Sequence, residues 1–171
     1  EVTDDTELIR LMRESRCFNV YVGFESFNPR TLALYNKRMD VGRIQRSMEV
    51  FHRHGIKVHG MFVVGSDADD AESVRTTVRM AKKLDIDTIQ FMILTPMPGT
   101  VLTEGLKAEA RIRTEDWSHF DGHYVTYEPR LLTPYELQLE TLRAFRKFYS
   151  LGRVVSRALK GDKWVTLLRL E

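Results

Sequence analysis

The sequence is poor in cysteine, in long apolar runs and in net charge. Cys17 is the single cysteine among 171 residues, which excludes an internal disulfide framework, a cysteine-rich zinc site and an iron–sulfur cluster ligated by this chain alone. No apolar run approaches the roughly 18 residues that span a bilayer. The acidic opening Glu1-Val2-Thr3-Asp4-Asp5 has neither the basic start of a signal peptide nor the arginines of a transit peptide, so the expected setting is cytoplasmic, with no transmembrane segment. Lys+Arg 26 against Asp+Glu 24 gives +2, too balanced over the whole chain for a dedicated nucleic-acid or membrane-surface protein. With 43% hydrophobic and 10% aromatic residues, disorder is disfavoured and one domain, or a large part of one, is expected. The chain opens on a helix-start signal rather than a Met, and is expected to be a segment of a longer protein.

What is present is a well-punctuated α/β rhythm. Asp4, with Glu7 three residues on, reads as a capping box ahead of Leu8, Leu11 and Met12, a helix ending near Cys17. Asn19 to Phe24 reads as a strand, and Asn28-Pro29 as a cap and first-turn proline opening a brief helix towards Tyr35. Asp40 precedes Val41, Ile44, Met48 and Phe51 at helical intervals, with Arg53 and His54 in the last turn and Gly55 as the stop. Ile56 to Gly65 reads as a second strand, apolar enough at its end to be covered on both faces. A third long helix is expected to be capped by Asp69 with Glu72, and to present Ala71, Val74, Val78 and Ala81 on one face. Thr88 to Leu94 is the third strand. Strands and helices alternating every thirty to forty residues or so are the signature of right-handed βαβ units and a parallel sheet. An eight-stranded barrel takes roughly 250 residues, so three strands imply one arc of a barrel or a small open sheet.

From Thr95 to Leu132 the rhythm breaks, with an extra strand expected at His123 to Tyr127 and a helical turn at Glu115 to His119. Thr133-Pro134-Tyr135-Glu136 then forms a capping box for an amphipathic helix through Leu139, Leu142, Phe145 and Tyr149. Two units follow: 1–100, about three βα units, and 101–171, a loop and helical extension. From Arg143 to Arg169 eight residues are basic and Asp162 alone is acidic, so the overall +2 combines a +7 tail with a −5 remainder. Phe145, Phe148, Tyr149, Val154, Val155 and Leu159 alternate with those charges at helical spacing, which favours a helix docked on protein over a nucleic-acid-binding tail.

In parallel α/β proteins ligands bind at the carboxyl ends of the strands, where loops vary and helix N-termini present their positive ends. Here these ends are Val22-Gly23-Phe24-Glu25-Ser26, Val63-Val64-Gly65-Ser66-Asp67 and Ile93-Leu94-Thr95-Pro96-Met97-Pro98-Gly99-Thr100. Together with Asn36-Lys37, the stretch from His52 through Gly65 and its D-x-D, Arg111-Ile112 through Trp117 and Asp121, and the final helix ending Phe148-Tyr149-Ser150, they resemble the radical S-adenosylmethionine (SAM) family. The resemblance covers residues from about 4 to 150 and is to the later half of its partial barrel, in the Fe–S oxidoreductase branch that often carries an upstream cobalamin-binding domain. It implies an α/β fold, a parallel βαβαβ arc of a partial TIM-type barrel plus a C-terminal helical extension. It also implies SAM and a 4Fe–4S cluster as cofactors of the full-length parent, with cobalamin on a further domain. The family's C-x-x-x-C-x-x-C is missing, so the segment by itself is expected to be inactive and to need the remainder of its own polypeptide. The parent would cleave SAM reductively and use the radical on a small-molecule substrate, a lipid or a tetrapyrrole.

By this resemblance Glu25 and Ser26 would contact the ribose or methionyl end of SAM, the alternative being local capping of the Asn28-Pro29 helix. Lys37 would face the SAM carboxylate or be a solvated helix-end lysine, and without cofactor Glu25 and Lys37 would pair. Val63, Gly65, Leu94, Thr95 and Pro96 would form the adenine side, against ordinary turn and strand-end roles. Strand alternation puts Tyr21 and Gly23 with Glu25, His59 with Met61 and Val63, and Gln90 with Met92 and Leu94; Tyr21, His59 and Gln90 are substrate-side candidates or members of a satisfied core network. No catalytic residue and no metal ligand is assigned. Asp67, Asp69 and Asp70 sit where helix-capping acids belong, His52 and His54 diverge on their helix, and Asp121-Gly122-His123 lacks the final glycine of a cobalamin-ligand motif. Two alternatives stand: a nucleic-acid-binding module of a tRNA-modifying enzyme, and a cofactor-free βαβ interaction domain.

Overall fold

A computed structural model describes residues 2–159. Its elements are α1 (Thr6–Glu14), β1 (Asn19–Glu25), α2 (Pro29–Leu34), α3 (Val41–Arg53), β2 (Lys57–Val64), α4 (Ala71–Lys83), β3 (Thr88–Ile93), α5 (Val101–Ala108), α6 (Pro134–Phe148) and α7 (Leu151–Leu159). Single 3-10 turns occur at Val2–Asp4 and Trp117–His119. The three strands lie in the order β1-β2-β3 and every pairing is parallel. This is the expected α/β class, a βαβαβ arc followed by C-terminal helices. No helix among the described residues is long and apolar enough to cross a membrane.

The punctuation read from the sequence sets most boundaries. Asn28 caps α2 with Pro29 at its start, Asp40 caps α3, and Thr133 and Glu136 satisfy each other's backbone at the start of α6. Such a cap stabilises a helix by about 1 kcal/mol. Two caps fall one residue later than expected. Asp5, not Asp4, accepts from Leu8 N, and Asp70, not Asp69, caps α4 with Ser73 as the reciprocal partner. Asp69 is drawn inward instead, because its carboxylate accepts the backbone N–H groups of Gly65 and Ser66 at 3.1 and 3.0 Å.

Burial alternates strictly along β2, so this strand is covered on one face and not on both as its apolar sequence implies. Val58, Phe62 and Val64 point at the helices, with Phe62 fully buried between Phe24 and Phe91 at ring separations of 5.7 and 5.5 Å. Met48 and Phe51 from α3, Val74, Val78 and Ala81 from α4, and Leu137, Ala144 and Phe148 from α6 complete that core. Each such side chain contributes about 1.5–3 kcal/mol by leaving water. Met61 and Val63 remain half-exposed on the second face.

The long stretch after β3 holds α5, a helix beyond those expected from the sequence: Thr100 caps it by accepting from Thr103 N, and Leu106 anchors it in the core. The strand expected at His123 to Tyr127 reduces to a single antiparallel bridge, Ile112↔Tyr127, because Gly122 turns the chain at φ +80° and hands its carbonyl to Ile93 N. In α7, Val154 and Arg157 are buried while Val155 and Leu159 are exposed, so these two do not dock as their spacing implied. Lys160, Lys163 and Arg169 of the basic tail lie outside the described residues.

Candidate functional site at the strand ends

Parallel pairing in register brings the three strand ends to one side of the molecule, with Gly23 beside Met61, Met61 beside Gln90, and Val64 beside Ile93. At the tip of β1 the register slips, so that Glu25 and not Phe24 stands opposite Phe62. Glu25 takes a left-handed backbone, φ +63°, which costs a residue with a Cβ about 1 kcal/mol or more. That turn throws its carboxylate back over Gly23, where any Cβ would lie 2.6 Å from Oε1. Lys37, just beyond α2, donates to the Gly23 carbonyl and pairs with Glu25 Oε1 at 3.2 Å. Both side chains are about one-third exposed, 37% for Lys37 and 31% for Glu25, so the pair is open to exchange with a ligand.

Ser26 is buried, and its hydroxyl accepts from Asn28 N at 2.9 Å, the local turn that was the alternative to ligand contact. Gly65 sits at φ +99°, and a Cβ there would collide with the Tyr127 hydroxyl and come within 2.7 Å of Leu137 Cδ2. Its carbonyl accepts from Tyr127 and its N–H is given to Asp69, so both backbone groups are already engaged. Val63, Leu94 and Thr95 are partly exposed beside it and Pro96 is buried, with Thr95 Oγ1 donating to Ile93 O.

Tyr21, His59 and Gln90 do share the second sheet face. Tyr21, 66% exposed, packs its ring 4.6 Å from that of His59, whose Nδ1 bonds Thr88 Oγ1 at 2.7 Å. Burial pushes the His59 imidazolium down in pKa against an opposing bond to Gln90, so the ring is neutral at pH 7. Tyr21, His59 and Thr88 form one layer near the amino ends of the strands, about 16 Å along β2 from its tip at 3.3 Å per residue. Because the Glu25 carboxylate folds back over Gly23, two residues beyond Tyr21 on the same face, the Glu25–Lys37 pair meets about 7 Å along β1 from this layer.

Side chains for which the sequence implied other roles, or none, hold the tips in place. Thr31 Oγ1 bonds Ser66 Oγ at 2.7 Å and Asp69 at 2.6 Å, and Asn28 Nδ2 donates to Ala68 O and Asp69. These bonds lock the loop after β1 to the loop after β2. Asp67 is clamped by Arg111 at 2.5 Å and Arg130 at 2.8 Å, chiefly the former, and its pKa falls accordingly. Burial, reinforced by the charges of Asp69, Glu25 and Asp67, raises the pKa of Tyr35, whose buried hydroxyl has no hydrogen-bond partner among the described residues. Only the polar residue types advertised this network, since its contacts join segments 35 to 63 residues apart.

The three aspartates thus do three different things: ion pairing at Asp67, loop bracing at Asp69 and capping at Asp70. His52, His54 and His59 bond Asp87, Val50 O and Thr88 respectively. Asp121 accepts from His123 N at 2.8 Å, closing a turn around Gly122. Among the described residues no group of three or more His, Cys, Asp or Glu could hold a metal ion. Cys17 lies at the entry to β1, the far end of that strand from Glu25, with its thiol against Asn19 O.

No family model matches the chain. It is 31% identical over 164 residues to the bacteriochlorophyllide d C-12(1)-methyltransferase of Chlorobaculum tepidum, covering 93% of this chain and 35% of that protein. It is 31% identical over 147 residues to an uncharacterized methyltransferase of Pyrococcus horikoshii, covering 86% of this chain and 31% of that one. The chain thus spans about a third of the length of these curated relatives. Among solved structures it is similar to the radical S-adenosylmethionine methyltransferase TsrM from Kitasatospora setae, determined with cobalamin and a 4Fe–4S cluster bound. The TM-score is 0.55 at 21% identity, over 84% of this chain and 26% of that one; this likeness shows the fold.

Proposed function

We propose that the chain is the later half of a radical SAM partial barrel, cut at about residue 100 into a strand-bearing arc and an extension, and that its strand ends carry the SAM side of a methyl-transferring or ring-forming enzyme. The observation that carries this reading is the Glu25–Lys37 pair, held over Gly23 at the tip of the first of three parallel strands in register. Its donor set suits SAM: a carboxylate for the two ribose hydroxyls and an ammonium for the methionyl carboxylate, each released from the other on binding. Ser26 adds a hydroxyl beside Glu25. Val63, Leu94, Thr95 and Pro96 offer a flat apolar side for the adenine, and Gly65 lets Tyr127 and Leu137 close in behind that tip. Bound SAM supplies radical or methyl-transfer chemistry, for which this chain's task is to hold and orient it and to exclude water.

The described residues do not fit a 4Fe–4S cluster or cobalamin, so both would be held by the remainder of the polypeptide. The β1 edge supports that arrangement, for no strand lies beyond it among the described residues. The open sheet face with Tyr21, His59, Met61, Gln90 and Met92 would border the substrate, and the bacteriochlorophyllide named for the Chlorobaculum relative supports a tetrapyrrole over a lipid. Calorimetric titration of the intact protein with SAM is the test. Saturable binding is expected, weakened roughly 10- to 100-fold by Glu25→Ala or Lys37→Ala, the worth of a charge-assisted hydrogen bond. Absent binding, or affinities unchanged in both variants, would overturn the reading.

A further inference from the structure

On the outer side of the molecule α4 and α6 flank a cavity of about 580 Å³ with an uneven charge. Arg75, Arg79 and Lys82 from α4 and Arg143, Arg146 and Lys147 from α6 line it, with Glu140 as its acidic wall. Glu140 is engaged by Arg75 at 2.8 Å and Arg143 at 2.7 Å, and Glu72 by Arg79 at 2.6 Å. Four formal positive charges are left over from the six cations and two carboxylates. Lys82 shows the crowding directly: burial, then the charges of Arg153 and Lys147, lower its pKa, and its ammonium turns to the Lys147 carbonyl at 2.5 Å. A bound anion would relieve that repulsion.

Apolar side chains stand in the open beside these charges. Leu142 of α6 is 53% exposed between the buried Thr141 and the exposed Arg143. Ser150 lines the cavity, and the next residue begins α7, where Leu151, Val155 and Leu159 recur every fourth position at 64%, 53% and 84% exposure. This stripe lies roughly opposite the buried Val154 and Arg157 of the same helix. A run of exposed aliphatic residues next to a basic groove marks an interaction surface. Among the described residues no aromatic side chain lines the groove, so it lacks the stacking platforms of single-stranded nucleic-acid sites. Cations beside an aliphatic stripe are instead the pattern of helices that lie on acidic membranes.

We infer that α4, α6 and α7 together present a docking surface for an anionic lipid bilayer, with the groove cations over phosphate headgroups and Leu151, Val155 and Leu159 entering the acyl boundary. This inference is independent of SAM binding. Flotation of the intact protein with phosphatidylcholine vesicles, with and without about one-third phosphatidylglycerol, tests it. Binding confined to the anionic vesicles and weakened by salt is expected. Arg146→Glu with Lys147→Glu should weaken it roughly tenfold or more, and Leu151→Ser with Val155→Ser should weaken it while leaving the thermal midpoint unchanged. Four results would overturn it: no binding; equal binding to both vesicles; a lowered thermal midpoint in the serine variant, which would mean the stripe packs on protein; or single-stranded RNA binding that ignores the serine substitutions.

Discussion

Asp87 shows how much one side chain can carry. It precedes β3, is 3% exposed, and accepts from His52 Nε2 at 2.7 Å, from Val58 N at 2.8 Å and from Arg157, with Lys57 Nζ at 3.3 Å. Burial alone would raise its pKa, but the bonds from His52 and Val58 and the nearby charges outweigh it and hold the carboxyl at about 2. A depressed folded pKa means the contribution is complete above the unfolded value near 4 and is lost as pH falls towards 2. Chemical denaturation at stepped pH should therefore show about 2 kcal/mol disappearing between about pH 5 and pH 2. In Asp87→Asn that step should flatten, and the variant should be about 3 kcal/mol less stable at neutral pH because Arg157 and Lys57 lose their counter-ion. The sequence placed Asp87 beside a strand but gave no sign of these partners, which lie 29 to 70 residues away.

Elements were the most legible level, because caps, stops and strand runs are local. The misses have local causes too. Thr100 beginning α5 was hidden by the turn residues just before it, and Asp69 was taken from its cap by the Gly65 and Ser66 amides of its own loop, with Asn28 and Thr31 adding bonds that sequence order does not reveal. How the sheet edges are treated was not legible at all. The hydroxyl of Tyr149, at the end of α6, accepts from Ile89 N and donates to Ile89 O, both at 2.8 Å, and so closes the outer edge of β3 in place of another strand. Tyr149→Phe keeps the ring and strips these two bonds, which should cost about 1–3 kcal/mol. Hydrogen exchange would show it as faster loss of protection at Ile89 than elsewhere in the sheet.

For the whole molecule the two sheet edges are unequal, one capped by Tyr149 and the loop carbonyl of Gly122, the other ending at β1. Native-state exchange should accordingly find the amides of β2 the slowest, and those of β1 faster by about tenfold or more; equal protection across the three strands would count against an open β1 edge. By itself the sequence determined the α/β class, the three strands, most caps and the trio of strand ends, since periodicity and capping act over a few residues. It also marked Glu25 and Lys37. Their pairing without cofactor was expected from the sequence and is seen; the tertiary structure alone decided that they meet over Gly23, that one sheet face stays uncovered among the described residues, that Gly65 is backed by Tyr127 and Leu137, and that Tyr21 and His59 stand towards the amino ends of their strands. Those outcomes depend on register, a strand-end slip and contacts across dozens of residues, where the free energy belongs to pairs of segments and no single stretch of chain encodes it.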